Sequence, residues 1–272
     1  MTDNRSYGPL NALADTRLGH MLYNRHDLYI GRSLQLYGEY SHGETLIFQI
    51  LARPDFTVLD IGANIGYHTL FFARKVGPRG QVIAFEPQRM IHQLLCANMA
   101  LNSIPNVWCH QAAVGAAAGS ITVPALDYGT ETNFGGLGLD VEGTVGETVA
   151  MMTVDSLNLA RCHFIKIDVE GMELAVLEGA QQTIRKHRPI LYLENDRQDK
   201  SPPLISWLLG EGYRLYWYLT PLYNADNYLK NKENIFGIIR SVNVLAVPGD
   251  FGLELDQFQE IKTPGDWYKP TD

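Results

Sequence analysis

The chain has 272 residues, 46% of them hydrophobic, so it can bury one sizeable core and leaves little room for two independent domains. Its formal net charge is -8 and it contains no lysine- or arginine-rich run, which argues against nucleic acid or an anionic membrane as a partner. Its three cysteines show neither CxxC pairing nor metal-ligand spacing, and the first residues lack a signal-peptide pattern. We therefore expect a reducing, cytoplasmic protein without a membrane span.

In chain order, strand and helix patterns alternate after residue 50, which predicts a doubly wound, mostly parallel sheet. The predicted strands are 57–61, 81–85, 106–111, 163–168, 189–194, 213–218 and 243–247, and the predicted helices are 67–76, 88–101, 172–186 and 203–211. Glycines interrupt the alternation between 115 and 152, where two alternating stretches predict an inserted hairpin. We expect an N-terminal cap or extension at 1–50, a catalytic domain at 51–250 and a C-terminal tail at 251–272.

A glycine turn between the first of these strands and its helix is the first feature with chemical meaning. Thr57–Ile61 is almost continuously apolar, as in a parallel strand buried on both faces, and Tyr67–Val76 has the apolar density of a packed helix. Gly62 and Gly66 allow a tight turn and a close ligand approach, and the first amides of the helix are unpaired donors. The turn predicts a cofactor site, with an ordinary strand-to-helix turn as the alternative.

The spacing of the turn indicates which cofactor it binds. Asp60-x-Gly62-x-Asn64-x-Gly66 differs from the Gly-x-Gly-x-x-Gly of dinucleotide sites, and a carboxylate at the mouth would repel a pyrophosphate. S-adenosylmethionine carries an amino group and a sulfonium and no phosphate. The next predicted strand ends at Glu86, about 20 residues beyond the glycines, where an acid can accept both ribose hydroxyls. We therefore predict S-adenosylmethionine, with Asp60 and the turn at its methionine part.

Acidic side chains end four of the predicted strands. They are Asp60, Glu86, Asp168 and Glu194. Ligands of an open parallel sheet bind beyond the carboxyl ends of its strands, so these acids, with the adjacent Glu170 and Asn195, are expected to share one crevice. Capping of a helix is the alternative for Asp168 and Glu170. Asp168, Glu194 and Asn195 offer only oxygen ligands, a set that suits Mg²⁺, Mn²⁺ or Ca²⁺.

Four segments taken in this order resemble the FkbM family of S-adenosylmethionine-dependent methyltransferases. They are Val58 to His68, Ala84-Phe85-Glu86-Pro87, Thr153-Val154-Asp155-Ser156-Leu157 and Phe164-Ile165-Lys166-Ile167-Asp168-Val169-Glu170-Gly171. The resemblance implies a Rossmann-like class I methyltransferase fold, a seven-stranded, mostly parallel sheet with helices on both faces and an antiparallel last strand. It also implies methyl transfer to a hydroxyl of a sugar, polyketide or other small metabolite, and a cap formed by residues 31–44.

These interpretations predict two sets of site residues. The cofactor set is Glu39, Asp60, Gly62, Asn64, Gly66, His68, Thr69, Glu86, Pro87, Ala113 and Asp168. The catalytic set is Asp168, Glu170, Glu194 and Asn195, with Asn133 and Tyr223 as further substrate contacts. For His68, a hydrogen-bonding or packing role competes with a role as base.

A comparison with metal-dependent catechol-type O-methyltransferases raises the question of the base. Asp168 and the pair Glu194-Asn195 fall where those enzymes hold magnesium, but Gly171 replaces the lysine that they use as base. Either a metal such as Mg²⁺ lowers the pKa of the acceptor hydroxyl, or Glu170 or Glu194 acts as general base. Lys166 lies within a predicted strand and is expected to point away from the site.

Two other functional classes fit the same architecture. A nicotinamide-dependent oxidoreductase needs the other glycine spacing, and a non-catalytic binding protein would tolerate loss of Asp168 or Glu194. We expect a small-molecule or glycan acceptor and no nucleic-acid or membrane partner. The sequence does not identify the acceptor, and it leaves a homo-oligomer open.

Overall fold

The computed structural model describes residues 6–139, 145–252 and 255–269. An N-terminal layer comes first: strands β1 (Ser6–Tyr7), β2 (Asn11–Thr16) and β3 (Gly19–Asn24) form an antiparallel sheet, followed by helices α1 (Ile30–Tyr37) and α2 (His42–Leu51). The side-chain amide of Asn98 holds this layer to the rest of the chain, because it accepts from the backbone N–H of Leu22 at 2.7 Å and donates to the Leu22 carbonyl at 2.9 Å.

The central layers follow in alternating order. They are β4 (Thr57–Ile61), α3 (Tyr67–Val76), β5 (Gln81–Phe85), α4 (Arg89–Leu101), β6 (Val107–His110), β7 (Ala113–Val114), β8 (Gly119–Pro124), β9 (Gly146–Met152), β10 (Phe164–Ile167), α5 (Glu173–Glu178), α6 (Gln181–His187), β11 (Ile190–Glu194), α7 (Ser201–Gly210), β12 (Tyr213–Pro221), β13 (Arg240–Pro248) and β14 (Glu260–Ile261). No helix within the three described ranges has the length and apolar character needed to cross a membrane.

The main sheet has eight strands in the order β14-β12-β13-β11-β10-β4-β5-β6. Neighbouring strands from β11 to β6 pair in parallel, while β13 is antiparallel to both β11 and β12. All seven predicted strands belong to it. The eighth, β14, is antiparallel to β12 and comes from the segment that the sequence assigns to the tail. The chain therefore has the doubly wound class I methyltransferase fold, extended by one edge strand.

Both faces of the sheet are buried, which explains the continuous apolar character of its central strands. On β10, Ile165 and Ile167 pack with the helices α5 to α7, whereas Phe164 packs on the opposite face with α2 and α3. Since side chains alternate across a strand, Lys166 lies on the same face as Phe164. The sheet thus directs a lysine toward the face that carries the glycine turn.

The predicted inserted hairpin is confirmed, because β8 and β9 pair antiparallel and β7 joins β9. Residues 140–144 of the insertion lie outside the described residues.

The single helix predicted at 172–186 is wrong, because α5 and α6 are separate helices. A Cβ atom at Gly179 would lie 2.1 Å from the Gly115 carbonyl oxygen, so the chain passes too close there for any side chain. The Asp155 carboxylate then accepts the backbone N–H groups of Gln182 at 2.9 Å and Thr183 at 2.8 Å, which starts a new helix.

Candidate active site

The turn after β4 brings the ends of two strands together. Gly62 has φ +80°, and a Cβ atom there would lie 1.7 Å from the Asp168 carbonyl oxygen beyond β10. The backbone N–H groups of Gly62 and Ala63 donate to the Phe85 carbonyl at 3.0 and 2.9 Å, which joins the turn to the end of β5. The turn therefore lies between the ends of β10 and β5, and only glycine fits at its first position.

Glu86 lies at the end of β5 with its carboxylate buried against this turn. It accepts the backbone N–H of Asn64 at 3.0 Å and that of Gln88 at 2.9 Å, and the residue is 4% exposed. Burial raises the pKa of Glu86 to about 7, although the two backbone donors oppose that rise. The carboxylate oxygens retain further lone pairs, so Glu86 can accept hydrogen bonds from a ligand.

Two adjoining cavities open beyond the strand ends. The larger, which we call the cleft, has a volume of about 1290 Å³, and the smaller side cavity has about 480 Å³. Gly62, Glu86, Asp168 and Glu170 line both. The side cavity is otherwise mainly apolar, with Phe85, Pro87, Ala112, Ala113, Val114, Leu137, Leu139 and Met172 in its wall.

Most of the predicted residues line one or both cavities. These are Gly62, Asn64, His68, Glu86, Pro87, Ala113, Asn133, Asp168, Glu170 and Glu194. Six predicted residues do not line either cavity: Glu39, Asp60, Gly66, Thr69, Asn195 and Tyr223.

The sequence predicts that Asp60 and Thr69 contact the cofactor. In the structure both residues lie behind the turn instead. Both are fully buried, and the Thr69 hydroxyl donates to Asp60 Oδ2 at 2.6 Å. This hydrogen bond fixes the first turn of α3 to the end of β4. Gly66 is also structural, since a Cβ atom there would lie 2.6 Å from Leu95 Cδ1 on α4. Asp60 is therefore not a carboxylate at the mouth of the turn.

Glu39 joins the N-terminal layer to the loop after β12, and it does not reach the cofactor side. Its carboxylate pairs with Arg17 at 2.6 Å and accepts the side-chain amide of Asn224 at 2.7 Å and the backbone N–H of Tyr228 at 3.0 Å. The neighbouring Tyr40 lines the cleft, so residues 31–44 do contribute to its wall.

Tyr223 faces away from the cleft as well. Its hydroxyl donates to the Asn231 carbonyl at 3.3 Å, and its ring packs edge-on against Tyr37 with centroids 5.3 Å apart. Leu222, the preceding residue, lines the cleft in its place.

His68 pairs with an acid that the sequence does not predict. Its Nε2 lies 3.0 Å from Glu44 Oε2, and both side chains are buried at the cleft. Burial favours a high pKa for Glu44, but the hydrogen bond and charge of His68 outweigh it and hold the pKa below its ordinary value. The pair of Glu44 on α2 and His68 on α3 thus fixes the N-terminal layer to α3.

Three carboxylates meet at the far side of the cleft. One oxygen each of Asp168, Glu170 and Glu194 lies within 4.8 Å of the others. Asn195 is not among them, because its amide donates to Ser201 Oγ at 2.9 Å and its side chain lines a separate cavity of about 1020 Å³. The predicted convergence of acids is therefore found for Glu86, Asp168, Glu170 and Glu194, whereas Asp60 and Asn195 do not line the cleft.

Burial and mutual repulsion perturb two of these acids. Burial, followed by the charges of Asp168 and Glu170, raises the pKa of Glu194 well above its ordinary value, and Glu194 Oε2 has no hydrogen-bond partner in the described part of the chain. Burial and Asp168 raise the pKa of Glu170 to about 7, although Arg197, whose Nη2 lies 2.6 Å away, opposes that rise. A proton is therefore easily held in this cluster near neutral pH.

Lys166 points into the site, contrary to the expectation from sequence. Its Nζ lies 3.1 Å from Asp168 Oδ2, 3.3 Å from the Gly62 carbonyl oxygen and 3.5 Å from Asp60 Oδ1, and the residue is 2% exposed. Burial lowers the pKa of Lys166, but Asp168 and Asp60 outweigh it and raise the pKa above its ordinary value. The charged form of Lys166 is therefore favoured under the cleft.

Comparison with known proteins places this site in a family. The model of the methyltransferase FkbM domain matches residues 60–215. Methyltransferase 1 of Beauveria bassiana is 28% identical over 177 residues, which cover 56% of this chain and 71% of that protein. Methyltransferase sdnD of Sordaria araneosa is 30% identical over 157 residues, which cover 46% of this chain and 60% of that protein.

Among solved structures, methyltransferase FkbM of Methylobacillus flagellatus KT aligns with a TM-score of 0.48 at 18% identity, over 74% of this chain and half of that one. The family match, which covers more than half of the sequence, shows that the chain belongs to the FkbM family of methyltransferases.

Proposed function

We propose that this enzyme transfers a methyl group from S-adenosylmethionine to a hydroxyl oxygen of a small-molecule or glycan acceptor such as a sugar or a polyketide. The observation that carries the proposal is the contact between the glycine turn and the carboxylate cluster. Gly62 lies directly against Asp168, so a cofactor on the turn and an acceptor at the cluster would be neighbours. Such proximity supplies much of the rate of a displacement reaction.

The residues present fit S-adenosylmethionine better than a dinucleotide. Glu86 offers a buried carboxylate for ribose hydroxyls, and the apolar wall of the side cavity suits an adenine ring. The spacing of the turn, Asp-x-Gly-x-Asn-x-Gly, also differs from the Gly-x-Gly-x-x-Gly of dinucleotide sites. This fit now depends on Glu86 and the cavity wall, since Asp60 lies behind the turn.

When bound, S-adenosylmethionine supplies an electrophilic methyl group. The chain positions the reactants and accepts the proton of the acceptor hydroxyl. We assign the proton to Glu170, because its pKa of about 7 matches neutral conditions and it lines the cleft. The neighbouring Glu194, whose pKa is raised by burial and by the charge of Asp168, also lines the cleft and can hydrogen-bond to the acceptor. Tyr40 and Ile30 of the N-terminal layer exclude water from the opposite wall.

The sequence also predicts that a divalent metal such as Mg²⁺ could activate the acceptor hydroxyl. The carboxylates of the cluster fit such a metal poorly. Asp168 Oδ2 is paired with Lys166 at 3.1 Å, and Glu170 Oε2 is paired with Arg197 at 2.6 Å. A metal ion bound to these two carboxylates would therefore lie beside two protein cations. The proposed reaction therefore contains no step through a metal.

Methyl transfer from labelled S-adenosylmethionine to a panel of glycan, polyketide and lipid hydroxyls tests the proposal. We expect Glu170→Gln to lower kcat by about 10²–10⁴, the usual contribution of a general base, and to leave cofactor binding unchanged. Glu178→Gln, an exposed acid on α5, is the matched control and should keep full activity. Tight NADH binding would contradict the proposed cofactor. Full turnover in Glu170→Gln would contradict the proposed base.

The same variant separates an enzyme from a non-catalytic binding protein. A binding protein would keep its biological effect in Glu170→Gln, whereas an enzyme would lose it together with turnover.

A further inference from the structure

We propose that Lys166 and Arg197 are the resident cations of the carboxylate cluster, and that they hold Asp168 and Glu170 in place without a divalent metal ion. Both would be positioning residues, since each acts through the carboxylate that it contacts. The inference rests on the function proposed above for its effect on turnover, but its effect on metal binding can be measured independently.

The contacts of Lys166 leave it no freedom to act as a mobile base. Its ammonium group has three N–H donors and lies within 3.5 Å of three oxygens, which belong to Asp60, Gly62 and Asp168. One contact is with the carbonyl of the glycine turn and another is with the carboxylate cluster. From its place on β10, Lys166 therefore contacts both the proposed cofactor site and the proposed acceptor site.

Arg197 holds the neighbouring carboxylate from the other side. Its Nη2 lies 2.6 Å from Glu170 Oε2, and Glu170 has φ +57°, a left-handed conformation that is uncommon for a residue with a side chain. A Cβ atom at Gly171, which has φ +101°, would lie 2.8 Å from Arg197 Nη1 and from Lys200 Nζ. The guanidinium thus packs closely on the backbone of Glu170 and Gly171, where both residues have positive φ. This contact fixes the direction of the Glu170 side chain.

A divalent cation would compete with both groups. It would have to displace the lysine from Asp168 Oδ2 and the arginine from Glu170 Oε2, or accept two positive charges beside it. Mg²⁺ requires a nearly octahedral set of oxygen ligands, whereas two of the three carboxylates in the cluster already hold a protein cation. The amide of Asn195, the third predicted ligand, is bonded to Ser201. The two protein cations therefore already balance the charge that a metal would balance.

Metal binding can be measured without an acceptor by titrating the 272-residue protein with Mn²⁺ and following the electron paramagnetic resonance signal of free Mn²⁺. We expect the wild type to leave that signal unchanged, and Lys166→Gln to reduce it by binding Mn²⁺, because a nearby positive charge is gone. Lys186→Gln, on the surface of α6, is the matched control and should behave as the wild type. Stoichiometric Mn²⁺ binding by the wild type, abolished in Asp168→Asn, would overturn the inference.

Turnover gives the second measurement. We expect wild-type methyl transfer to be equal with EDTA and with added Mg²⁺, and Lys166→Gln to lose kcat by about tenfold or more, with Lys166→Arg recovering part of it. If Lys166→Gln does not fold, Arg197→Gln serves in its place, because Arg197 has a third of its side chain exposed (34%). Activity lost in EDTA and restored by Mg²⁺ would overturn the inference, whereas absence of transfer under every condition would contradict only the proposed function.

Discussion

Replacement of Gly62 by alanine is the most direct test of the geometry at the turn. The residue has φ +80°, which costs a non-glycine residue about 1–2 kcal/mol. The added methyl group would also lie 1.7 Å from the Asp168 carbonyl oxygen, a backbone atom that cannot rotate away. Overpacking of this kind typically costs about 1–3 kcal/mol. We therefore expect Gly62→Ala to lower the free energy of unfolding by about 2–5 kcal/mol.

Gly237→Ala separates the two contributions. Gly237 has φ +57°, and no heavy atom lies within 4 Å of a Cβ atom built there, so this variant carries the conformational cost alone. Urea unfolding of both variants gives the steric contribution as their difference. Calorimetry with S-adenosylmethionine should also show affinity for Gly62→Ala at least about tenfold lower, which corresponds to 1.4 kcal/mol. Equal stability of the two variants, with unchanged affinity, would refute the close contact between the turn and Asp168.

Three further expectations concern buried acids. Glu86→Gln should weaken S-adenosylmethionine binding by about 1.5–3 kcal/mol, the usual value for a hydrogen bond to a charged group; equal affinity in calorimetry would remove Glu86 from the ribose site. In the wild type, affinity should fall as the pH drops through about 7, where Glu86 takes up a proton, and a flat profile would contradict this. Glu44→Gln should lose about 1.5–3 kcal/mol of stability to urea, because His68 loses a charged partner. The pKa of Glu44 lies below 4.5 in the folded protein, so the stability difference between the wild type and Glu44→Gln should be fully present above pH 4.5. It should vanish as the pH falls through the pKa that Glu44 has in the folded protein. A difference that persists at lower pH would contradict the pairing with His68.

The sequence predicts the elements around the turn with the bounds that the structure has. Thr57–Ile61, Tyr67–Val76 and Gln81–Phe85 agree to the residue, because strands buried on both faces and their connecting helix have strong local patterns. The break between α5 and α6 follows from the approach of Gly115 to Gly179, which are far apart in sequence. Local patterns do not contain such contacts.

The orientation of Lys166 cannot be predicted from the pattern of its own strand alone. It pairs in register with Asp60 across β10 and β4, and register partners on adjacent parallel strands point to the same face. Alternation along β10 shows that Lys166 and Ile167 point to opposite faces, but not which face carries the glycine turn. That choice depends on the register and on the face covered by α3, so the sequence did not reveal that the lysine lies under the site.

The strand order explains why the family identifies the reaction better than the acceptor. The chain reverses direction across the sheet between β4 and β10, and such switch points are where open parallel sheets bind ligands. The family match at residues 60–215 includes the turn, Glu86 and the carboxylate cluster. The opposite wall of the cleft is formed by Tyr40, Leu222 and Arg240, all outside that match. We therefore expect acceptor choice to depend in part on these segments, so exchanging them between family members should change the acceptor while the cofactor site stays the same.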